Sequence, residues 1–152
     1  MNIEIRPALP SDVTAIFHVR TAVTENALTM AELTKMGITA QSVTDMIAAG
    51  PCAWVAVGGD GVIGFAMIDA VEGALFAAFV LPSHEGRGIG RRLVELAERQ
   101  LFERHPLCWL ETGKATRAAG FYRRLGWSNE QDLGNGDIRL EKRRAPGQGL
   151  GR

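Results

Sequence analysis

Residues 80–102, VLPSHEGRGIGRRLVELAERQLF, contain the residue types best suited to binding a phosphorylated ligand. An apolar strand leads through a proline turn into Gly86, Gly88 and Gly90, and a helix follows. Alternate glycines allow the backbone to approach a ligand closely and to point several N–H groups at one spot. The start of the helix adds unpaired N–H donors and the positive end of its dipole. The segment therefore predicts a binding site for a diphosphate.

The spacing of the glycines excludes two common nucleotide-binding loops. A dinucleotide fingerprint, G-x-G-x-x-G, requires glycine at position 91, which is Arg91. A Walker A loop requires Gly-Lys followed by Ser or Thr, and this combination is missing from the segment. Taken alone, the motif is also compatible with a glycine-rich turn that binds no ligand.

The helix after the glycines has two distinct faces. Its apolar face consists of residues that recur at helical spacing, Leu93, Leu96, Ala97 and Leu101. The other face has the charged residues Arg91, Arg92, Glu95, Glu98 and Arg99. This pattern predicts that the helix packs against a core while its first turn faces the ligand.

Two motifs in the second half of the chain resemble those of the GNAT superfamily of N-acyltransferases. The first, V-x-P-x-x-x-G-x-G-I-G-x-x-L from Val80, is similar to the superfamily's acyl-CoA signature. The second, ATRAAGFYRRLGW at residues 115–127, resembles its later A-x-x-F-Y-x-x-x-G-[FW] segment. The resemblance extends over residues 3–141. It implies an α/β fold with a mixed central sheet flanked by helices, in which splayed strands form an acyl-CoA cleft.

The resemblance implies that acetyl-CoA is the co-substrate and is bound mainly by backbone groups. The fourth-strand residues Phe79, Val80 and Leu81 would contact the pantetheine and the thioester. The loop residues Gly86, Arg87, Gly88, Ile89, Gly90 and Arg91 would bind the diphosphate. Glu85 stands where the family usually has Arg or Gln, and we expect its side chain to point to solvent. Ala115 replaces a family asparagine that contacts pantetheine, and the Thr116 hydroxyl is expected to supply a contact instead.

Tyr122 is the predicted general acid. Transfer from a thioester to an amine needs a neutral amine, a donor for the oxyanion and a proton for the departing thiolate. By resemblance, Tyr122 matches the family tyrosine that protonates the thiolate. A packing role beside Phe121 is the alternative.

The general base is harder to identify, because the predicted fourth strand lacks the Glu that many family members have there. Glu25 lies where the family's loop after the first helix lines the acceptor site, and it is our predicted base. The other candidates are Asp69, Glu72, Glu111 and His18. A water relay, or an amine that arrives neutral, is equally compatible with the sequence.

The resemblance thus implies an N-acetyltransferase that acts on a primary amine by direct attack in a ternary complex. The acceptor is a small molecule or a peptide that the sequence does not identify. A non-catalytic CoA-binding or regulatory module of the same fold is the alternative, and the missing strand carboxylate is its best support.

Composition limits the other classes of function. The formal net charge is zero, which favours neither a nucleic-acid nor a membrane partner. No apolar run reaches the ~18 residues of a membrane span, and the N-terminus does not resemble a signal peptide. Cys52 and Cys108 begin apolar runs and are expected to be buried free thiols, as in a cytoplasmic protein. Because the 3 histidines are scattered, no metal site is expected.

The length fits one domain, residues 1–144, followed by a Gly- and Pro-rich tail, residues 145–152, that we expect to be disordered. Strands are predicted around Ile3 and Ile5 and at 52–57, 61–70, 74–81, 107–111 and 137–141. Helices are predicted after Ser11 or Asp12, before Gly37, over 39–49, after the glycines and over 116–125. The sequence shows no obvious polar residues that would shield Trp54, Trp109 and Trp127 from solvent. Because members of the family often form dimers, we predict a homodimer.

Overall fold

A sheet of seven strands forms the centre of the protein, which a computed structural model describes over residues 2–146. The strands are β1 (Glu4–Pro7), β2 (Ala53–Gly58), β3 (Gly61–Asp69), β4 (Ala74–Val80), β5 (Leu107–Gly113), β6 (Ser128–Gly134) and β7 (Asp137–Arg143). Their order across the sheet is β1-β2-β3-β4-β5-β7-β6. Among these strands β4 and β5 pair in parallel, and the other neighbours are antiparallel. The predicted mixed sheet is confirmed.

Helices flank the sheet at the positions that the sequence predicts. They are α1 (Val13–Ala22), α2 (Met30–Lys35), α3 (Ala40–Ala49), α4 (Ile89–Leu101) and α5 (Arg117–Arg124). Thr29 and Thr39 start α2 and α3, because each hydroxyl accepts the N–H of the residue three positions later at 3.1 Å. Gly37 follows α2 with a φ of +81°, a left-handed conformation that suits glycine at a helix end.

The helices cover both faces of the sheet. Successive residues of a strand point to opposite faces. On β3, Gly64 faces Leu93 of α4, which lies 3.2 Å from the position where a Cβ would stand. The next residue, Phe65, lines a cavity together with Ile16 and Phe17 of α1. Therefore α1 and α4 lie on opposite faces, and the core extends along both sides of the sheet.

The tryptophans are better covered than their sequence context suggests. Trp54 and Trp127 are 6% and 1% exposed and belong to the core. Trp109 is partly exposed, but its Nε1 donates to the Glu72 carbonyl at 3.1 Å and the Arg139 guanidinium lies 4.4 Å from its ring centroid. The three side chains thus pack against or bond to residues of their own chain and give no support to the homodimer, which stays a prediction.

Glu98 does not lie on the solvent face of α4 where the helix pattern places it. Its side chain is buried, and its carboxylate accepts from Trp127 Nε1 at 2.9 Å and from Lys142 Nζ at 2.8 Å. Lys142 also donates to the Leu125 carbonyl at 2.7 Å. A buried carboxylate needs such a cation and such donors. The partners are 29 and 44 residues away in sequence, so helical periodicity alone could not reveal them.

The described strands and helices all lie within the predicted domain, since the last strand ends at Arg143. Of the tail predicted to be disordered, residues 147–152 lie outside the described residues. Cys52 and Cys108 are buried free thiols, as predicted.

Candidate active site

A gap opens in the middle of the sheet between β4 and β5. Their register contains a single pair, Ala74 opposite Trp109, whereas every other pair of neighbouring strands has four or more. Beyond Ala74, no described residue of β4 is paired with β5. This is the predicted splay.

The backbone of β4 presents Ala78 and Val80 to this gap. The Leu81 N–H donates to the Ile63 carbonyl at 2.8 Å, on the β3 side. Because backbone groups alternate in direction along an antiparallel strand, the N–H and C=O of Val80 and Ala78 point away from β3. The N–H of Leu81, one of the predicted cofactor residues, is therefore already used within the sheet. Val80 has the free backbone groups that its predicted role requires.

A β-bulge at Phe76 lies next to the gap. In the pairing with β3, Met67 is opposite Ala77 and Ile68 is opposite Leu75, so Phe76 has no partner. A bulge bends its strand and redirects the side chain of the extra residue. Phe76 is 46% exposed and lines the cavity on the α1 face of the sheet.

The loop before α4 has the conformation that its glycines predict. Gly86 and Gly88 have φ values of +79° and +78°, which strain any other residue. A Cβ at either position would meet no atom within 4 Å, so the backbone is accessible here. The N–H of Arg92 makes the first helical bond, to the Gly88 carbonyl at 3.2 Å, and the N–H groups of residues 86–91 have no acceptor among the described residues. This row of donors at a helix start suits an anion.

The loop opens into a cavity of about 490 Å³, the glycine-loop cavity. Predicted cofactor residues that line it are Phe79, Val80, Glu85, Gly86, Gly88, Ile89, Gly90 and Arg91. Leu81, Arg87 and Thr116 are not among its lining residues in the described part of the chain. Arg124 of α5 lines it as well, a cation that sequence reasoning missed. Backbone donors and three arginines, Arg91, Arg117 and Arg124, thus line one space, which fits a diphosphate.

Arg117, the first residue of α5, links two acidic residues across this cavity. Its Nη2 donates to Glu85 Oε1 at 2.8 Å, and its backbone N–H donates to Glu25 Oε1 at 3.0 Å. The hydrogen bond to Glu85 is the main reason that the pKa of Arg117 is raised, and the charges of Glu85 and Glu25 add to it. Glu85 is exposed, as expected, but its carboxylate is also paired with Arg117 at the edge of the cavity. The Glu25 carboxylate is likewise engaged, at the N-terminus of α5.

Thr116 is the N-cap of α5. Its hydroxyl donates to the Gly113 carbonyl at 2.7 Å and accepts from the Ala119 N–H at 3.3 Å. These bonds fix the start of the helix. The Thr116 O–H is therefore engaged within the chain, and its predicted contact with the cofactor stays a prediction.

Tyr122 is buried and is not among the described residues that line the glycine-loop cavity. It is 7% exposed, and its ring packs against Phe121 and Trp127 with centroids 5.2 and 6.2 Å away. Within the described chain, Phe121 lines that cavity and Tyr122 does not. Burial raises the pKa of Tyr122, and the Glu98 charge raises it further. The phenol therefore keeps its proton throughout the neutral range.

A second cavity, of about 510 Å³, lies on the α1 face and is here the apolar cavity. Its wall is mostly aliphatic and aromatic and comes from α1, the α2 region, α3 and the sheet. Asn26 and Phe79 line both cavities, so the two spaces adjoin beside β4. The apolar cavity also contains the polar side chains of Arg20, Glu111 and Asp137. Sequence reasoning missed Arg20, whose partners all lie outside any motif.

The candidate bases fall in different places. Glu111 lines the apolar cavity and Glu25 lines the glycine-loop cavity. Asp69 accepts the N–H groups of Val71 and Glu72 in a turn, at 3.1 Å each. Asp69, Glu72 and His18 line neither cavity in the part of the chain that the structure describes.

Two structural findings concern metals and membranes. Over residues 2–146, no three His, Cys, Asp or Glu side chains are grouped so that they could hold a metal ion. None of the described helices is both long enough and apolar enough to span a membrane.

The structure is similar to several solved acetyltransferases. PaiA N-acetyltransferase from Thermoplasma acidophilum, in complex with coenzyme A, gives a TM-score of 0.75 at 18% identity, over 95% of this chain and 100% of that one. Ribosomal-protein-S18-alanine N-acetyltransferase from Escherichia coli gives 0.68 at 20% identity, over 93% and 94%. Ribosomal-protein-alanine N-acetyltransferase from Brucella melitensis gives 0.67 at 22% identity, over 93% and 99%. At these identities the likeness shows the fold.

The sequence itself shows the family. No curated protein matches it. The model of the acetyltransferase (GNAT) domain matches residues 49–129, more than half of the chain, and this range includes β4, the glycine loop, α4 and α5. The chain therefore belongs to the GNAT acetyltransferase family.

Proposed function

We propose that this protein is an N-acetyltransferase that transfers the acetyl group of acetyl-CoA to a primary amine. The observation that supports it best is the row of N–H groups at 86–91, which open into the same cavity as the free edge of β4. A diphosphate at the loop and a pantetheine along Val80 would use both at once. The accessible positions at Gly86 and Gly88 and the cations of Arg91 and Arg124 fit such a ligand.

Direct attack in a ternary complex is the proposed mechanism. The two cavities adjoin at Asn26 and Phe79, so donor and acceptor have separate spaces that meet beside β4. Acetyl-CoA supplies the activated acetyl group. The amine nitrogen forms a bond to the carbonyl carbon, the carbon–sulfur bond breaks, and the thiolate takes a proton.

Tyr122 is the proposed source of that proton. Its raised pKa keeps it protonated but also makes it a weaker acid than free tyrosine. A thiolate released into the same low-dielectric surroundings is likewise more basic than in water, which keeps the two groups matched. The role requires that the hydroxyl reaches the sulfur through the gap between β4 and β5.

Glu111 is the better proposal for the base that accepts the amine's proton. It lines the apolar cavity, and its carboxylate has no hydrogen bond or ion pair with any described residue. Glu25, predicted from the resemblance, already accepts the Arg117 N–H at 3.0 Å. We propose that Glu25 instead positions α5 and its tyrosine.

A thiol-release assay with acetyl-CoA and a panel of amines tests this function. Amine-dependent release above hydrolysis, with a product heavier by one acetyl group in mass spectrometry, is the expected result. The alternative is a CoA-binding module without catalysis, favoured by the absence of a carboxylate on β4. Tight CoA binding in calorimetry without turnover of any amine would favour that module.

A further inference from the structure

Arg20 of α1 is the one basic side chain among the described residues that line the apolar cavity. Its guanidinium lies 4.2 Å from the centroid of the Phe79 ring, and its Nη1 donates to the Asn26 carbonyl at 3.0 Å. Both neighbours also line the glycine-loop cavity. Arg20 is therefore held at the junction where donor and acceptor would meet.

The charge of Arg20 has no acidic partner among the described residues. A guanidinium has five N–H donors, and the bond to Asn26 uses one of them. The side chain is half-buried, and this burial lowers the pKa of Arg20 because the cation is partly removed from water. A half-buried cation with free donors next to an aromatic face suits an incoming carboxylate.

The carboxylates of the cavity lie at its other side. Glu111 is on β5 and Asp137 is opposite Gly113 in the β5–β7 pairing, so both side chains belong to the same sheet face. Neither has a hydrogen bond or an ion pair with another described residue. The cavity thus has a cation on α1 near β4 and two anions on the strands across the gap.

The rest of the wall is apolar. Leu33 and Val43 are 1% and 3% exposed, and Leu28, Met36 and Phe76 complete this part of the cavity. The volume of about 510 Å³ is within the range of small-molecule sites. An acceptor that fills it needs a sizeable apolar group, in addition to the groups that meet the charges.

Building on the proposed function, we propose that the acceptor is a free amino acid with a large apolar side chain. Arg20 binds its carboxylate, the amine lies at the gap facing Glu111, and the apolar side chain packs against α2 and α3. The amine nitrogen attacks the thioester carbon and loses a proton to Glu111, while the thiolate is protonated as it leaves. An N-acetyl amino acid and CoA are the products. A peptide N-terminus, which has an amide where the free acid has its carboxylate, would leave Arg20 unpaired.

A matched series of amines separates the carboxylate from the apolar group. L-leucine, L-leucinamide and 3-methylbutylamine share one side chain and differ in the group next to the amine. We expect kcat/KM for leucine to exceed that for the other two by about 10- to 100-fold, the range for losing hydrogen bonds to a charged group. A second series repeats the test with a larger apolar group: L-phenylalanine, L-phenylalaninamide and 2-phenylethylamine.

The variant Arg20→Met keeps the apolar stem and removes the guanidinium. It should lose the preference for leucine and retain activity on 3-methylbutylamine. Arg20→Lys should retain part of the preference, because an ammonium attracts a carboxylate without the paired donors. Arg104→Met removes an exposed arginine outside both cavities and should leave the preference unchanged.

Calorimetry with CoA bound gives a readout that does not depend on turnover. Binding of leucine that weakens 10-fold or more in Arg20→Met supports the inference, even if no amine is acetylated and the proposed enzymatic function fails. Equal activity on leucine, leucinamide and 3-methylbutylamine overturns the inference while leaving acetyl transfer intact. A leucine preference that survives in both Arg20 variants also overturns it.

Discussion

The glycine-loop cavity and the apolar cavity adjoin but are built in different ways. More than half of the residues that line the first lie in one segment, from Ala78 on β4 to Arg91 in the first turn of α4. This segment carries the N–H groups of residues 86–91, which have no acceptor among the described residues. The second is made by side chains from α1, α3, β3, β4, β5 and β7 and from the α2 region. A backbone-defined site tolerates many side chains, whereas each residue of a side-chain-defined site changes what fits. The first is therefore suited to a shared cofactor and the second to a particular acceptor.

The largest expected effect comes from the apolar cavity, where we place the proton acceptor. Glu111→Gln should lower kcat/KM at neutral pH by about 10²-fold or more, the usual contribution of a positioned base. Glu25→Gln is the matched control, since it changes the same group in the glycine-loop cavity. Steady-state kinetics should show the larger loss in Glu111→Gln, with recovery at alkaline pH as the amine becomes neutral. A larger loss in Glu25→Gln would return the base to the position predicted by resemblance.

Tyr122→Phe tests whether a residue that does not line the glycine-loop cavity supplies the proton for the departing thiolate. The change removes only the hydroxyl, so CoA affinity measured by calorimetry should change little. We expect kcat to fall by about 10²-fold, since the thiolate would leave without its proton. Full turnover in a folded Tyr122→Phe variant would make this residue a packing partner of Phe121 and Trp127.

The pH dependence of Tyr122 can be followed directly, because the chain contains 1 tyrosine. Burial raises its folded-state pKa above the ordinary value of 10.0, so the unfolded chain releases this proton first as pH rises. The contribution of Tyr122 to folding stability is thus complete below pH 10 and is lost above it. Ultraviolet titration should show tyrosinate only above the ordinary range, and Tyr122→Phe should be less sensitive to alkaline unfolding.

The contrast between the cavities also explains what the sequence could predict. The glycine loop, α4 and the strands before it follow from local patterns, so their positions agree with the structure to within a few residues. The structure adds details that the motifs do not give: the Leu81 N–H bonds to β3 and the Thr116 hydroxyl caps α5. The Leu81 bond depends on a neighbouring strand that no motif specifies, whereas the Thr116 cap is a local contact between residues three positions apart.

Residues whose partners are distant in sequence were missed or misplaced. Glu98 is buried because Trp127 and Lys142 reach it from other elements. The carboxylate of Glu85 meets Arg117 from 32 residues away, which no local pattern indicates. The proposed role of Arg20 depends on its contact with Phe79 on β4 and on a cavity whose walls come from several helices and strands. Tertiary packing decides each of these cases.

The backbone character of the glycine-loop cavity can be tested at Gly88. Gly88→Glu places a side chain and a negative charge where the backbone would meet the diphosphate. CoA affinity in calorimetry should weaken by about 10-fold or more, as loss of several charge-assisted bonds implies. Gly61→Glu is the control, because Gly61 also has a positive φ, +106°, with no atom within 4 Å of a Cβ. Gly61 is the first residue of β3, next to the β2–β3 turn, and lies outside both cavities. Equal CoA affinity in both folded variants would move the cofactor away from the loop.

The smallest expected effect concerns Glu85, an acidic side chain in a cavity whose anion-binding groups are mainly backbone N–H groups. Its carboxylate adds negative charge beside the proposed diphosphate and occupies Arg117 at 2.8 Å. Glu85→Gln removes that charge and frees the Arg117 guanidinium for the ligand. Because both side chains are substantially exposed, we expect CoA to bind only about 2- to 5-fold more tightly, the range for an exposed pair.

Glu130→Gln provides the control for Glu85→Gln, since Glu130 makes a similar exposed pair with Arg123 at 2.7 Å outside both cavities. Calorimetry at two salt concentrations measures both variants. The gain in Glu85→Gln should shrink at high salt, where exposed charges are screened, and Glu130→Gln should bind CoA like the parent chain. Weaker binding in Glu85→Gln would mean that the Arg117–Glu85 pair shapes the cavity for the cofactor. A side chain, and not the backbone alone, would then define part of the glycine-loop cavity, and the two cavities would differ less than proposed.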